Sequence, residues 1–238
     1  MAKGKLFLIP TVLAEDTAGQ VISPQVKDVV KNTRYFLVEN VRTARRYISS
    51  LRLGLVIEEL HFEVLDKKTK GVELERIMKP LMEGYDVGVI SEAGCPGIAD
   101  PGSQAAAYAH QKGIQVVPLS GPSSMFLALM ASGFNGQSFA FHGYLPIDKK
   151  DRVQAIKQLE GESARHRRTQ IFMETPFRNN HLLEDLKNTL HPDTLLCIAK
   201  NLTAADEFVV TKRIQDWKKT NLDLHKMPVV FVLYAGEV

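Results

Sequence analysis

Along the first half of the chain, short apolar runs of strand length alternate with longer segments of helical period. The runs are KLFLIP (5–10), YFLVE (35–39), LVIEEL (55–60), DVGVIS (86–91) and IQVVPL (114–119). Between them, residues 24–32, 41–52, 72–83 and 102–112 repeat apolar positions at three- and four-residue spacing, the signature of amphipathic helices. Pro24 stands near the start of one predicted helix, and Gly84 and Gly113 just past the ends of two others. One helix per connection is what parallel strands need, because a parallel pair cannot be joined by a tight turn. The pattern therefore predicts an α/β fold: a mostly parallel sheet with helices on both faces.

Past residue 120 the pattern changes. SSMFLALMASG (123–133) is nearly all apolar and predicts a buried helix. SFAFHGY (138–144) and TQIFME (169–174) predict strands separated by a charged helix (148–160) and a polar loop (161–168). A helix over 176–190 follows. TLLCIAK (194–200), EFVVTKR (207–213) and PVVFVLYAG (228–236) then succeed each other with little helix between, which requires antiparallel pairing. We expect two domains, an N-terminal α/β domain over 1–119 and a C-terminal mixed α/β domain over 120–238.

Four predicted strands run into turns rich in Gly, Pro, Ser or Thr: IPT (9–11), SEAGCPGIADPG (91–102), SGPSS (120–124) and METPF (173–177). Ligands of open α/β sheets sit outside the carboxyl ends of the strands. In the second turn, Pro96 and Pro101 restrict φ while Gly94, Gly97 and Gly102 expose backbone, which suits a preformed ligand loop.

Composition excludes several classes. Among 238 residues, 45% are apolar and 24% charged, the balance of a globular protein. No apolar run approaches the roughly 18 residues of a membrane span, and LFLIP is too short for a secretory signal, so we expect a cytoplasmic protein with no membrane partner. Cys95 and Cys197, the only cysteines, lack metal-ligand spacing and read as reduced thiols. The seven histidines show no ligand spacing either, so no metal is expected; His142 reads as a packed strand histidine. Dinucleotide, P-loop and nucleophile-elbow motifs are absent. The net charge of +3 permits a nucleic-acid partner without requiring one. Positive charge concentrates at Arg42, Arg45, Arg46 and Arg52, and at Arg165 to Arg168, each either a solvated face or a phosphate-contacting rim.

VGVISEAGCPGIADPG (87–102), followed by VVPLSGPSS (116–124), resembles the paired signature of the ribosomal RNA small subunit methyltransferase I family, within the tetrapyrrole methylase superfamily. LFLIPT, VENVR (38–42), FHGYLP (141–146), FMETPFR (172–178) and AKNLT (199–203) resemble further blocks of that family, in the right order. The resemblance implies two α/β domains, a homodimer, and S-adenosylmethionine held in the cleft between the domains. It places Pro10, Ser91, Glu92, Ala93, Gly94, Ile98, Ser123, Ser124, Glu174, Thr175, Leu202, Met227 and Pro228 at the cofactor. It implies methylation of a ribose 2′-oxygen of small-subunit ribosomal RNA. The chain departs from the family's blocks at Ala14, Glu15, Asn40, Val41, Glu92, Lys200 and Asn201. These departures leave open a tetrapyrrole, protein or other small acceptor, and a catalytically silent protein that binds the cofactor and RNA.

A ribose hydroxyl must lose its proton as it is methylated, so a carboxylate or lysine near the methyl would assist. The candidate catalytic residues are Glu39, Asp100 and Lys200, with Arg42 and Arg45 holding substrate phosphate. Each catalytic candidate has a structural alternative: Glu39 as a helix cap, Asp100 as an acceptor for its own loop's N–H groups, Lys200 as an exposed strand end.

Overall fold

The computed structural model describes residues 2–236. The chain divides into two compact units between Ser123 and Ser124.

The first unit contains β1 (Leu6–Ile9), α1 (Ala18–Val21), α2 (Pro24–Asn32), β2 (Tyr35–Val38), α3 (Val41–Ser50), β3 (His61–Val64), α4 (Val72–Met82), β4 (Val87–Ile90), α5 (Gly102–Gln111) and β5 (Val116–Pro118). Its five strands are all parallel, in the order β3-β2-β4-β1-β5. Side chains alternate between the two faces. Ile9, Phe36, Val38 and Ile90 pack with Val26 and Val30 of α2 and Ala44, Tyr47 and Ile48 of α3. Leu6, Leu37, Val87 and Val89 pack with Ile77, Met78 and Leu81 of α4 and Ala105 and Ala109 of α5. The strand order explains this partition. Connections β1→β2→β3 step one way along the sheet and β3→β4→β5 step back. Right-handed crossovers in opposite directions place their helices on opposite faces. The connections leaving the neighbouring strands β1 and β4 therefore diverge, and that divergence opens a crevice at their carboxyl ends.

The second unit contains α6 (Ser124–Ser132), β6 (Phe139–Tyr144), α7 (Lys149–His166), β7 (Thr169–Met173), α8 (Asn179–Thr189), β8 (Leu195–Lys200), β9 (Phe208–Arg213), α9 (Ile214–Trp217) and β10 (Val229–Tyr234). Its sheet, ordered β6-β7-β10-β8-β9, is parallel only between β6 and β7. One face, with Phe172, Leu196, Ile198, Phe231 and Leu233, packs against α7, α8 and α9. There the buried Trp217 indole donates to the Leu196 carbonyl at 2.8 Å. Helix α6 packs against β8, β9 and β10, and the Thr211 hydroxyl donates to the Ser132 carbonyl at 2.9 Å. Arg152 of α7 and Asp185 of α8 form a buried pair at 2.7 Å, with a second Arg152 guanidinium N–H donating to the Ile147 carbonyl.

Three expectations are corrected. Helix α6 is not buried throughout: Ala128, Leu129 and Ser132 are, whereas Phe126 and Met130 are exposed. The third strand is not LVIEEL (55–60) but His61–Val64; residues Ile57–Glu59 form a single 3-10 turn. This edge strand pairs on one side only, with β2, so the more polar HFEV serves. The polar stretch after Gly161 is not a loop but the last turns of α7, which ends at Arg167 in the left-handed conformation (φ 49°). Polarity there marks a solvent-facing helix, because only Ser163 and its helical neighbours on one stripe are buried.

Candidate active site

In the first unit the strand exits are stitched together. Pro10 is buried, and its carbonyl accepts a hydrogen bond from the buried Tyr47 hydroxyl at 2.8 Å. Burial pushes the Tyr47 hydroxyl far above its ordinary pKa, so it stays a neutral donor. The Thr11 N–H donates to the Gly94 carbonyl at 2.8 Å, tying the exit of β1 to the loop after β4. Gly94 sits at φ 71°, a conformation open to glycine. The exit of β5 closes on the same place: a Cβ on Gly121 would lie 2.2 Å from Cβ of Pro10. Cys95 Sγ lies 3.4 Å from the Pro122 carbonyl.

Within the loop, Asp100 accepts from the Gly97 N–H at 2.8 Å and from the Gly102 N–H at 2.7 Å. Its carboxylate therefore clamps the turn that carries Gly97 (φ 88°) and Ala99 (φ 64°). A carboxylate so engaged turns its lone pairs to the backbone donors of its own loop. Ser91 is buried, whereas Glu92, Ala93 and Ile98 are exposed on the loop's rim.

Glu39 stands at the exit of β2, half-buried. One carboxylate oxygen accepts the Glu92 N–H at 3.1 Å. Burial raises its carboxyl above the usual carboxylate range; repulsion from Asp100 and Glu92 adds to this, and the Glu92 N–H and the charge of Lys67 oppose it. Glu39 does not cap the helix that follows. That role belongs to Asn40, whose side-chain oxygen accepts the N–H groups of Arg42 (2.9 Å) and Thr43 (3.2 Å). Asn caps as well as Asp, so the departure at this position costs the helix nothing. Arg42 is exposed in the first turn of α3, and the Arg45 guanidinium lies 5.3 Å from the Phe62 ring centroid.

The second unit gathers its own cluster. Because β10 runs antiparallel to β7 and β8, its beginning lies beside their ends, with Val230 opposite Met173 and Val229 opposite Lys200. Glu174 is buried; one oxygen accepts from the Arg178 guanidinium at 2.6 Å and from the Thr175 N–H, while Oε2 has no partner. Asn201 (φ 52°) donates its N–H to the Pro228 carbonyl at 3.0 Å and its amide to Asp206 at 2.6 Å. Asn179 donates to the Met227 carbonyl at 2.7 Å. Leu202 is buried, and the Lys200 ammonium lies 5.8 Å from the Phe208 ring centroid. His142 bonds Gln170 at 2.6 Å, as a packed strand histidine does. Ser123 and Ser124, between which the chain divides, are half-buried.

The unit-one residues Pro10, Ser91 to Gly94, Glu39 and Asp100 thus come together at the carboxyl ends of the first sheet's strands. Glu174, Thr175, Lys200, Leu202, Met227 and Pro228 follow the ends of β7 and β8 or precede the start of β10, which lie side by side in the second sheet. Sequence reasoning missed Tyr47; Thr11, Gly121 and Arg178 lie in segments it singled out but were not named as site residues. Arg178 was findable, four residues after Glu174 at the helix-entry spacing; Tyr47 looks like any other amphipathic-helix position.

A family profile described as Tetrapyrrole (Corrin/Porphyrin) Methylases matches residues 22–217. The chain belongs to the tetrapyrrole methylase family. It is a methyltransferase by that membership, and the family implies a methyl donor of the S-adenosylmethionine type. Its relatives include proteins named Ribosomal RNA small subunit methyltransferase I. The one from Synechocystis sp. is 32% identical over 86% of this chain and 69% of its own length. The one from Escherichia coli O157:H7 is 27% identical over 98% of this chain and 78% of its own. The one from Halalkalibacterium halodurans is 31% identical over 77% of this chain, and the match spans 60% of its length. Among solved structures, one titled "Crystal structure of the methyltransferase CobJ" shares the fold, with a TM-score of 0.63 over 97% of this chain and 94% of that one at 20% identity. The family resemblance and the two-part α/β architecture expected from the sequence are both met.

The residues present suit such a donor. S-Adenosylmethionine carries an ammonium, ribose hydroxyls and an exocyclic amine, all hydrogen-bond donors. In the first unit the buried Thr11 hydroxyl, beside the loop Ser91 to Gly94, is an acceptor with no protein partner. A buried polar atom left unpaired costs about 1–3 kcal/mol, which a ligand donor would recover.

Proposed function

We propose that this protein methylates a ribose 2′-hydroxyl of small-subunit ribosomal RNA, using S-adenosylmethionine. The observation that carries the reading is Glu39: a half-buried carboxylate with a raised pKa at the exit of β2, next to the strand pair whose connections diverge. A hydroxyl acceptor needs a base, and a carboxylate whose pKa is raised is a stronger one once ionised. The names of the relatives supply the acceptor class.

S-Adenosylmethionine, when bound, supplies a methyl group activated by a sulfonium cation. The chain's own residues do the rest. The loop Ser91 to Gly94, stiffened by the Asp100 clamp and the Thr11–Gly94 hydrogen bond, holds backbone in a fixed shape for the donor. Pro10, Ile98, Ser123, Ser124, Glu174, Thr175, Leu202, Met227 and Pro228 are the further proposed donor contacts. Glu39 accepts the hydroxyl proton, while the Glu92 N–H holds its carboxylate in one orientation. Arg42 and Arg45 engage phosphate. Lys200, resting near Phe208, is a charge that orients the acceptor rather than the base. Positioning alone supplies several kcal/mol of barrier reduction in such a displacement, about 7–11 at the limit. A cytoplasmic location and a homodimer accompany this reading.

The test is methyl transfer from labelled S-adenosylmethionine to small ribosomal subunits from a strain lacking the protein. Label on one alkali-resistant ribose is expected. Donor binding without transfer to subunits or naked ribosomal RNA refutes the reading and directs attention to a tetrapyrrole or protein acceptor.

A further inference from the structure

The turn between β3 and α4 has a charge pattern that the catalytic reading does not use. The Leu65 N–H donates to the Val38 carbonyl at 2.9 Å, so the exit of β3 is fastened beside the exit of β2, one residue before Glu39. Asp66 then folds the chain back. Its Oδ1 accepts from the Lys68 N–H (2.8 Å), the Thr69 N–H (2.9 Å) and the Thr69 hydroxyl (3.0 Å), and that hydroxyl accepts the Asp66 N–H at 3.0 Å. These bonds hold the Asp66 carboxyl below the usual range, the Lys68 N–H most of all. Leu65 and Thr69 are buried and anchor the turn, while Lys67, Lys68 and Lys70 project into solvent.

Three lysines on a rigid turn cost self-repulsion unless something anionic meets them. Some exposed cations elsewhere are paired, as Arg76 with Glu63 and Glu73, or Arg213 with Asp193, while others among the described residues, such as Lys31 and Lys157, are not. Among the described residues, Lys67, Lys68 and Lys70 close no ion pair. Arg45 extends the same corner, because its guanidinium lies over Phe62 of β3. Arg42 is one turn earlier on α3, and Lys67 is close enough to Glu39 to act on its ionisation.

We infer that the Lys67–Lys70 turn, continuous with Arg42 and Arg45, is a docking surface for the phosphodiester backbone of the RNA acceptor. The inference rests on the RNA reading above and adds to it a surface and a role. The lysines grip the strand at its phosphates, and the fixed turn sets how far along it Glu39 falls. Ammonium groups act here as point charges, so the grip is indifferent to base sequence.

The experiment compares the intact protein with the triple variant Lys67→Ala/Lys68→Ala/Lys70→Ala, leaving Asp66 and Thr69 to hold the turn. Binding to small subunits and to ribosomal RNA is measured between 50 and 200 mM salt, with melting temperature and donor affinity as controls. Each lost phosphate contact removes about 0.7–0.9 from the logarithmic salt slope. Three of them mean that the intact protein loses roughly 20- to 40-fold more affinity across that range than the variant. KM for the subunit should rise, and kcat should stay unchanged at pH values above the acid limb, where Glu39 is ionised with or without Lys67 beside it. A second variant, Lys150→Ala/Lys157→Ala/Lys218→Ala, neutralises exposed lysines of the other unit and should keep the full slope. If the intact protein binds RNA and the first variant has the same slope, the surface is wrong and the RNA reading stands. If both variants lose slope equally, net charge and not this turn is responsible, which also overturns the inference. If the intact protein binds neither subunits nor RNA, the RNA reading itself fails.

Discussion

Glu39→Gln separates proton transfer from everything else the residue does. The one hydrogen bond that fixes the side chain is accepted from the Glu92 N–H, and an amide oxygen can still accept it. The fold around the exit of β2 should therefore persist, since Asn40 and not residue 39 caps α3. What is lost is the basic oxygen. General-base contributions are typically about 10²- to 10⁴-fold, equivalent to roughly 3–5 kcal/mol of barrier. Glu39 must be ionised to accept a proton, so activity of the intact protein should fall as pH drops through its raised pKa. That acid limb should lie above the ordinary carboxylate value and vanish in the variant. Stability should move the other way. A carboxyl whose folded pKa is raised holds its proton more tightly in the native state. Its protonation stabilises the fold below the unfolded value, and that contribution is lost as pH rises through the folded one. At neutral pH the charged form is thus a burden, and the glutamine variant should melt no lower than the parent. The assay is single-turnover methyl transfer at saturating donor from pH 5 to 9, with melting followed in parallel. A variant that keeps its rate within threefold, or the same acid limb, would refute the base assignment.

Asp100→Asn tests the clamp against the alternative role of base: three backbone contacts to a charged acceptor weaken, so donor affinity should drop about tenfold while kcat at saturating donor holds. A collapse of kcat at unchanged affinity would make Asp100 the base instead. Gly121→Ala forces a Cβ to 2.2 Å from the ring of Pro10, whose carbonyl is held by Tyr47, and should cost about 1–3 kcal/mol in denaturant unfolding. Arg152→Met leaves the buried Asp185 with only the Lys149 ammonium at 4.0 Å and should cost about 3 kcal/mol, much of it recovered by adding Asp185→Leu.

Local pattern carried a great deal here. Alternating apolar runs and amphipathic helices were enough for a parallel sheet followed by a mixed one, because periodicity is a property of neighbours along the chain. The glycine–proline loop after β4 was legible for the same reason: φ preferences belong to the residues themselves. Where two adjacent segments competed, local reasoning failed. LVIEEL is more apolar than HFEV, yet HFEV is the strand, since an edge position pairing only with β2 asks little of side-chain hydrophobicity. Gly161 and the polar run after it suggested a loop, although α7 continues through them because its buried stripe reaches Ser163.

The amino-acid sequence by itself determined the elements, their class and the family blocks. Only the tertiary structure decided which exits meet. Strand order β3-β2-β4-β1-β5 brings Glu39 to the Glu92 N–H across 53 residues, and Pro10 against Gly121. It also left Glu39 half-buried with a raised pKa, whereas the Asp100 clamp is local, two and three residues along the chain, and is already among the expectations from sequence. The meeting of the exits and the shift at Glu39 depend on long-range pairing and desolvation, quantities that no run of neighbouring residues encodes, because both are set by what the folded chain places around a group.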